Sequence, residues 1–157
     1  MLENAVIRDF HQREYTYDEM IEKIKEYDRE GFNFYIGTDS QVIKRKISIV
    51  TAICCHKDGG GDSKIFYVKE RIKKKDYPSL RARMLLEAYR SIEAAMEIEP
   101  LINNRLSVHL DVGDTNKSKT SKFHKELEFL VQAQGYDCSI KPDSWAASSV
   151  ADRMTKS

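Results

Sequence analysis

The stretch Phe32-Asn33-Phe34-Tyr35-Ile36-Gly37-Thr38-Asp39 is rich in aromatic residues and predicts a β-strand that ends on an acid. Successive side chains of a strand alternate between its faces. One face therefore carries Phe34, Ile36 and Thr38, and the other carries Tyr35, Gly37 and Asp39. This alternation places the Asp39 carboxyl group at the edge of a sheet. An Asp after a strand is also a common turn former, so Asp39 alone is ambiguous.

The segments around this strand predict one α/β domain over residues 1–157, with the element order α-βββ-α-β-α-β-α. Thr16 and Glu19 have capping-box spacing and predict a helix over 17–29, within an N-terminal extension of residues 1–31. Further strands are predicted over 47–55, 64–71, 106–112 and 136–140, and helices over 79–98, 120–134 and 144–154. Short turns make the first three strands an antiparallel meander. Helical crossovers place the last two strands parallel to the first, giving a five-stranded mixed sheet with flanking helices.

The composition is typical of a soluble globular protein, and the sequence shows no targeting or membrane segment, so we expect a cytoplasmic location. The chain has 157 residues, of which 41% are hydrophobic and 32% charged. No apolar run approaches the roughly 20 residues that span a bilayer, and the N-terminus lacks the pattern of a signal peptide. The cysteines Cys54, Cys55 and Cys138 are odd in number and lack paired zinc-ligand spacing. We expect them to be buried free thiols.

Basic residues are concentrated in three clusters although the net charge is only +1. The clusters are Lys44-Arg45-Lys46, Arg71 with Lys73-Lys74-Lys75, and Lys117, Lys119, Lys122 and Lys125. Each has two interpretations. The cluster is either a solvated surface or a local basic rim that attracts phosphate while the whole protein stays near neutral.

Two aspartates are expected to meet at one edge of the sheet. Asp39 ends the first long strand, and Asp111 lies near the end of the strand predicted over 106–112. Parallel neighbouring strands present their carboxyl ends at the same edge, where open α/β sheets place ligands. Two close carboxylates repel each other unless a cation lies between them or a pKa rises. Mg²⁺ or Mn²⁺ suits such an all-oxygen site. Asp114 is an alternative to Asp111.

Two helical acids extend this set. Glu87 lies midway along the helix predicted over 79–98, at the border of its apolar stripe, although an acid in such a place is more often a solvated surface residue. Glu93 and Glu97 are alternatives in other helix registers. Asp152 lies near the C-terminus of the last helix, where an acid opposes the helix dipole. That unfavourable placement indicates a role beyond stability.

Three segments together resemble the YkuK-like family of predicted ribonuclease H-related proteins. The segments are Tyr35-Ile36-Gly37-Thr38-Asp39-Ser40-Gln41, residues 109–118 (HLDVGDTNKS) and residues 141–153 (KPDSWAASSVADR). The resemblance covers nearly the whole chain and implies a ribonuclease H-like fold. It also implies that four acids correspond to the metal-binding carboxylates of such nucleases: Asp39, Glu87, Asp111 and Asp152. The histidine-bearing loop that precedes the last helix in many ribonucleases H has no counterpart.

The resemblance implies hydrolysis of phosphodiester bonds in RNA, DNA or a hybrid by two Mg²⁺ or Mn²⁺ ions. Asp39 would bridge both ions, Glu87 and Asp111 would hold one, and Asp152 would hold the other. Substrate contacts are expected from eight polar or basic residues: Ser40, Gln41, Thr115, Asn116, Lys117, Ser118, Lys119 and Lys122. The alternative is a binding module that docks nucleic acid or protein without cutting, with Tyr35, Tyr67, Tyr77 and Trp145 as stacking surfaces. The oligomeric state is open.

Overall fold

The computed structural model describes residues 1–113 and 121–156, without the side chain of Ser121. The described chain contains a seven-stranded mixed sheet in the order β2-β1-β5-β4-β3-β6-β7. The strands are β1 Ile7–Asp9, β2 Glu14–Tyr15, β3 Asn33–Ile43, β4 Lys46–His56, β5 Lys64–Lys73, β6 Leu106–His109 and β7 Asp137–Ser139. The helices are α1 Tyr17–Arg29, α2 Leu80–Ile98, α3 His124–Ala133 and α4 Asp152–Thr155, the last preceded by a π-helix at Ala146–Ala151. Single 3₁₀ turns occupy Leu2–Asn4, Lys74–Asp76, Glu99–Leu101 and Ser121–Phe123.

The prediction of five strands is wrong because residues 1–31 contribute two short strands as well as a helix. β1 pairs antiparallel with the outer edge of β5, and β2 pairs with β1. Strands of three and two residues are too short to produce a recognisable alternation. β1 pairs with β5, which lies about sixty residues further along the chain, and β2 pairs in turn with β1. The predicted element order is retained, with two strands added to one edge of the sheet.

The central pairings agree with the predicted topology. β3, β4 and β5 form an antiparallel meander, β6 is parallel to β3, and β7 is parallel to β6. Two strand ends differ from the prediction. β3 continues past Asp39 to Ile43 because it stays paired with β4, whereas β6 stops at His109, so Asp111 follows the strand. Gly37 is in register with His109, and Asp39 and Asp111 each lie two residues further on.

The two faces of β3 pack against different helices. Phe34 and Ile36 belong to the main core together with buried residues of α2 such as Ala88 and Ala95. The opposite face carries a second core, in which buried β4 residues meet the last helix: Val50, Ala52, Cys54, Ala146, Ala151 and Met154. Gly37 lies on this second face, and a Cβ there would come closer than 3.0 Å to backbone atoms of Ala146 and Ala147. Glycine at this position therefore allows the last helix to approach the sheet.

The predicted bounds of α1 and the predicted end of α2 agree with the structure, whereas the last helix differs from its prediction. α1 has the predicted bounds, and its capping box is formed because Glu19 N donates to Thr16 Oγ1 while Thr16 N donates to Glu19 Oε1. The last helix was predicted over 144–154 as one regular element, but most of it is a π-helix. Cys54 and Cys55 are buried free thiols, as predicted, and Cys138 is half-buried. No helix in the described residues is long and apolar enough to cross a membrane.

Candidate active site

Asp39 and Asp111 form the centre of the site. Their side chains come within hydrogen-bonding reach at the carboxyl edge of β3 and β6. Asp39 is only 6% exposed, and Asp111 is half-buried. The Asp111 Oδ1 atom is enclosed yet accepts no hydrogen bond from the described residues. Two enclosed carboxyl groups in contact need either a shared proton or a cation.

The environment of Asp39 favours its protonated form. Burial, followed by the negative charge of Asp111, raises the pKa of Asp39 from 3.8 to about 7. Asp152 contributes in the same direction, whereas a hydrogen bond from Thr155 opposes it. Thr155 Oγ1 donates to Asp39 Oδ2 at 3.0 Å from the end of the last helix. The last helix therefore orients the Asp39 carboxyl group directly. Sequence reasoning did not identify Thr155, which lies in the last turn of the chain.

Glu87 reaches the same edge from the other face of the sheet. It lies on α2 with 5% exposure, and its Oε2 atom accepts hydrogen bonds from Ser40 N at 3.1 Å and Ser40 Oγ at 2.5 Å. Burial raises the pKa of Glu87 well above its usual value, the bonds from Ser40 oppose that rise, and the charges of Asp39 and Asp111 add to it. Four residues along the same helix, Ser91 Oγ lies 2.7 Å from Thr38 Oγ1. α2 and β3 are thus connected at two successive polar contacts.

The alternative helix acids lie elsewhere. Glu93 forms an ion pair with Arg90, and the Glu97 carboxylate accepts hydrogen bonds from the backbone amide of Leu2. Of these three acids only Glu87 contacts the strand that carries Asp39. The structure therefore favours the register that places Glu87 at the site.

Two lysines form ion pairs with Asp152 and Asp111. Lys156 Nζ donates to Asp152 Oδ2 at 2.9 Å, and Lys141 Nζ lies 3.1 Å from Asp111 Oδ1 in an ion pair that is not aligned as a hydrogen bond. Asp152 and Asp39 also raise the pKa of Lys156, with the contact to Asp152 as the main cause. Sequence reasoning missed both lysines, although Lys156 lies four residues after Asp152 and could have been found from helix periodicity.

His109, at the end of β6, forms a hydrogen bond with the start of the last helix. Its Nδ1 atom accepts a hydrogen bond from Ala146 N at 3.0 Å, which requires the ring proton to be on Nε2 in the neutral form. Burial lowers the pKa of His109 to about 4. Its ring packs against both Tyr35 and Trp145, whose rings also contact each other. Of the four predicted stacking residues, Tyr67 is 5% exposed and belongs to the core, whereas Tyr35, Tyr77 and Trp145 are half-buried and remain partly accessible.

Three of the eight predicted substrate-contact residues lie in the part of the chain that the structure describes. The Ser40 hydroxyl is engaged with Glu87, Gln41 is half-buried on the Asp39 face, and exposed Lys122 lies over the ring of Phe123. Five predicted contacts lie outside the described residues: Thr115, Asn116, Lys117, Ser118 and Lys119. The alternative acid Asp114 lies outside them as well.

The four acids approach one edge but do not form a complete ligand cage. Among residues 1–113 and 121–156, no three Asp, Glu, His or Cys side chains are grouped closely enough to hold a metal ion. Asp39 and Asp111 are the pair in contact. Glu87 is turned toward Ser40, and Asp152 toward Lys156.

Comparisons with known proteins give a family and one relative. A family model described as Ribonuclease H-like matches residues 16–156. The chain is also 28% identical over 176 aligned positions to the uncharacterized protein YkuK of Bacillus subtilis (strain 168), covering 99% of this chain and 100% of that protein. No solved structure matches significantly. These matches confirm the resemblance that the three sequence segments indicated.

Proposed function

The chain belongs to the ribonuclease H-like family, and on that premise we propose that it is a metal-dependent nuclease that hydrolyses phosphodiester bonds in RNA, DNA or a hybrid. The observation that carries the proposal is the contact between Asp39 and Asp111. The two carboxyl groups come from neighbouring parallel strands and meet at the edge of the sheet where α/β domains bind ligands. A buried acid in contact with a second acid is costly for stability, and such sites are characteristically functional.

The donor set suits Mg²⁺ or Mn²⁺ in its chemistry. All four acids supply hard oxygen ligands, and the enclosed Asp111 Oδ1 atom accepts no aligned hydrogen bond from the described residues, although Lys141 Nζ lies 3.1 Å from it. Asp39 and Asp111 would hold the ion, with Glu87 and Asp152 completing the set. The bonds to Ser40 and Lys156 engage one oxygen of each of these two acids, so each could offer its other oxygen to an ion while keeping that partner. A bound ion would supply an activated water and stabilise the leaving oxygen.

The surrounding residues have positioning roles in this proposal. Thr155 fixes one oxygen of Asp39, which leaves the other free to face Asp111. The two hydrogen bonds from Ser40 fix the Glu87 carboxyl group beside the strand that carries Asp39. Lys141 and Lys156 balance the negative charge of the acids before a cation binds. The same lysines are placed to meet a phosphate once an ion has taken over that role.

Cleavage assays on matched variants test the proposal. Purified wild-type protein is incubated with labelled single-stranded RNA, single-stranded DNA, RNA duplex and RNA–DNA hybrid, with Mg²⁺, Mn²⁺ or EDTA. We expect metal-dependent cleavage that Asp39→Asn abolishes while the circular dichroism spectrum is unchanged. Asp62→Asn, in an exposed loop, is the control and should cleave normally. Cleavage retained by Asp39→Asn would rule out the proposed site.

Calorimetric titration with Mg²⁺ separates the nuclease from the binding module. The nuclease is expected to bind the ion in a manner that requires Asp39 and Asp111. If the protein instead binds nucleic acid tightly but neither binds Mg²⁺ nor cleaves, it is a non-catalytic module. That alternative is favoured by one observation, namely that Lys141 and Lys156 already compensate two of the four acids.

A further inference from the structure

Two basic clusters that are separate in the sequence meet at one end of the β3-β4-β5 meander. The turn after β3 carries Lys44, Arg45 and Lys46, and β5 runs into the segment 71–75. Lys46 lies directly opposite Lys73 in the ladder, and Lys74 N donates to Arg45 O at 2.9 Å. We refer to Arg45, Lys46, Lys73, Lys74 and Lys75 as the basic end. Together with Pro78 these residues line a surface cavity of about 480 Å³.

The charge of the basic end is not compensated within the described structure. Residues 44–46 and 71–76 contain seven Lys or Arg side chains and a single acid, Asp76. None of the seven forms an ion pair with a carboxylate of the described residues. The five side chains of the basic end are all exposed. Like charges directly opposite in a ladder are destabilising, so the Lys46–Lys73 pair lowers stability, and a bound anion would relieve that repulsion.

The basic end lies on the same face of the sheet as the candidate active site. Asp39 is opposite Val50, and Val50 is opposite Lys69, whose Nζ donates to Met154 O of the last helix at 3.4 Å. Residues two apart on a strand share a face. Arg71 and Lys73 therefore continue from Lys69 on the Asp39 face, away from the helix and toward Lys46.

A buried orphan atom lies along this path. Ser48 is opposite both Gln41 and Arg71, so these three side chains form one row between Asp39 and the basic end. Ser48 is 3% exposed, and its Oγ atom has no hydrogen-bond partner among the described residues. Because this hydroxyl is enclosed, it could donate to a ligand oxygen only after a side chain beside it, such as Gln41 or Arg71, moves aside.

We infer that the basic end binds the phosphodiester backbone of a nucleic acid whose scissile phosphate lies at Asp39 and Asp111. The inference rests on the proposed nuclease function and adds the path of its substrate. Ile43, at the end of β3, is four residues beyond Asp39, which corresponds to about 13 Å of strand. At about 3.4 Å per step in a duplex, the basic end meets phosphates roughly four nucleotides from the bond to be cut.

Fluorescence anisotropy in EDTA tests this inference without any need for cleavage. A labelled duplex and a labelled single strand of about 20 nucleotides are titrated with full-length protein between about 50 and 200 mM KCl. Lys46→Gln/Lys73→Gln should weaken binding roughly tenfold and lower the slope of log K against log salt by about 1.4–1.8. Arg29→Gln/Lys64→Gln removes the same charge from exposed positions away from the basic end and should change affinity less than about twofold.

A second lysine variant tests the same inference without touching the strands. Lys74→Gln/Lys75→Gln alters no residue of the β4–β5 ladder, so it repeats the test without any change in strand pairing. Equal effects in test and control variants, or no binding of either nucleic acid by the wild type, would overturn the inference. Lysine-dependent binding in a protein that never cleaves would retain the basic end and refute the nuclease. Metal-dependent cleavage by the wild type, together with unchanged binding in both lysine variants, would retain the nuclease and refute the basic end as a binding site.

Discussion

Ser40 donates two hydrogen bonds to a single oxygen of Glu87, one from its backbone amide at 3.1 Å and one from its hydroxyl at 2.5 Å. The contact joins positions 47 residues apart and connects the middle of α2 to the strand that carries Asp39. It explains how an acid that is 5% exposed is tolerated in the core. It also places Glu87 at the level of the Asp39–Asp111 pair, although α2 covers the opposite face of the sheet.

Removing the Ser40 hydroxyl should destabilise the fold. In Ser40→Ala, Glu87 Oε2 retains only the backbone amide, so the pKa of Glu87 should rise further. We expect the free energy of unfolding at neutral pH to fall by about 1–3 kcal/mol, measured by urea denaturation. Ser40→Thr keeps a hydroxyl at the same place and should lose less. Equal losses in the two variants would show that the hydroxyl is not the cause.

Asp39→Asn should stabilise the protein above neutral pH in the absence of metal. The folded pKa of Asp39 is about 7 and its unfolded value is 3.8, so the folded wild type binds the extra proton between these values. Wild-type stability from this group therefore falls as pH rises from about 4 to about 7, by about 1–4 kcal/mol. Asparagine removes this dependence. The Tm of Asp39→Asn minus that of wild type should grow across this range and then level off.

Two controls accompany the Asp39 measurement. The pKa of His109 is lowered to about 4, so its contribution to the free energy of unfolding rises with pH between about 4 and 6.5. Because His109 is present in both proteins, this contribution cancels when their Tm values are subtracted. Asp62→Asn should show no pH-dependent difference from wild type. Added Mg²⁺ should reduce the advantage of Asp39→Asn, because a bound cation favours the charged Asp39. A Tm difference that is flat with pH would contradict the assigned environment of Asp39.

Gly37→Ala should displace the last helix and with it Thr155. The new Cβ would come closer than 3.0 Å to backbone atoms of Ala146 and Ala147. Overpacking of this kind costs typically about 1–3 kcal/mol, and we expect a matching drop in thermal stability together with weaker Mg²⁺ binding. Adding Ala147→Gly should not restore either property, since the clash is with backbone. Restoration would show that the Ala147 methyl group, not the close backbone approach, makes Gly37 necessary.

Lys156→Gln should strengthen metal binding. Lys156 forms an exposed ion pair with Asp152, and its charge also acts on Asp39 and Asp111. Removing that charge leaves Asp152 available as a ligand. We expect the Kd for Mg²⁺ to decrease by less than about tenfold, because exposed ion pairs are weak, as measured by isothermal titration calorimetry. Lys64→Gln, at the far end of β5, should leave the Kd unchanged, and a weaker affinity in Lys156→Gln would contradict the competition.

The local features of the fold followed from the sequence because they depend on neighbours along the chain. The Thr16–Glu19 capping box determines where α1 begins, and the alternation through Gly37 and Asp39 determines the two faces of β3. The pairing of Asp39 with Asp111 was also predictable, since two parallel strands must end at one edge. These inferences need only periodicity and the rules of strand connection.

Tertiary structure decided the features that depend on contacts distant in sequence. Helix periodicity alone allows Glu87, Glu93 or Glu97, and the packing of α2 on β3 brings only Glu87 to Ser40. The strands β1 and β2 exist because β5 offers an edge to pair with. The junction of two basic clusters depends on the β4–β5 register, which sets Lys46 opposite Lys73. In each case the deciding free energy is that of a contact between residues remote in sequence, which no local pattern encodes.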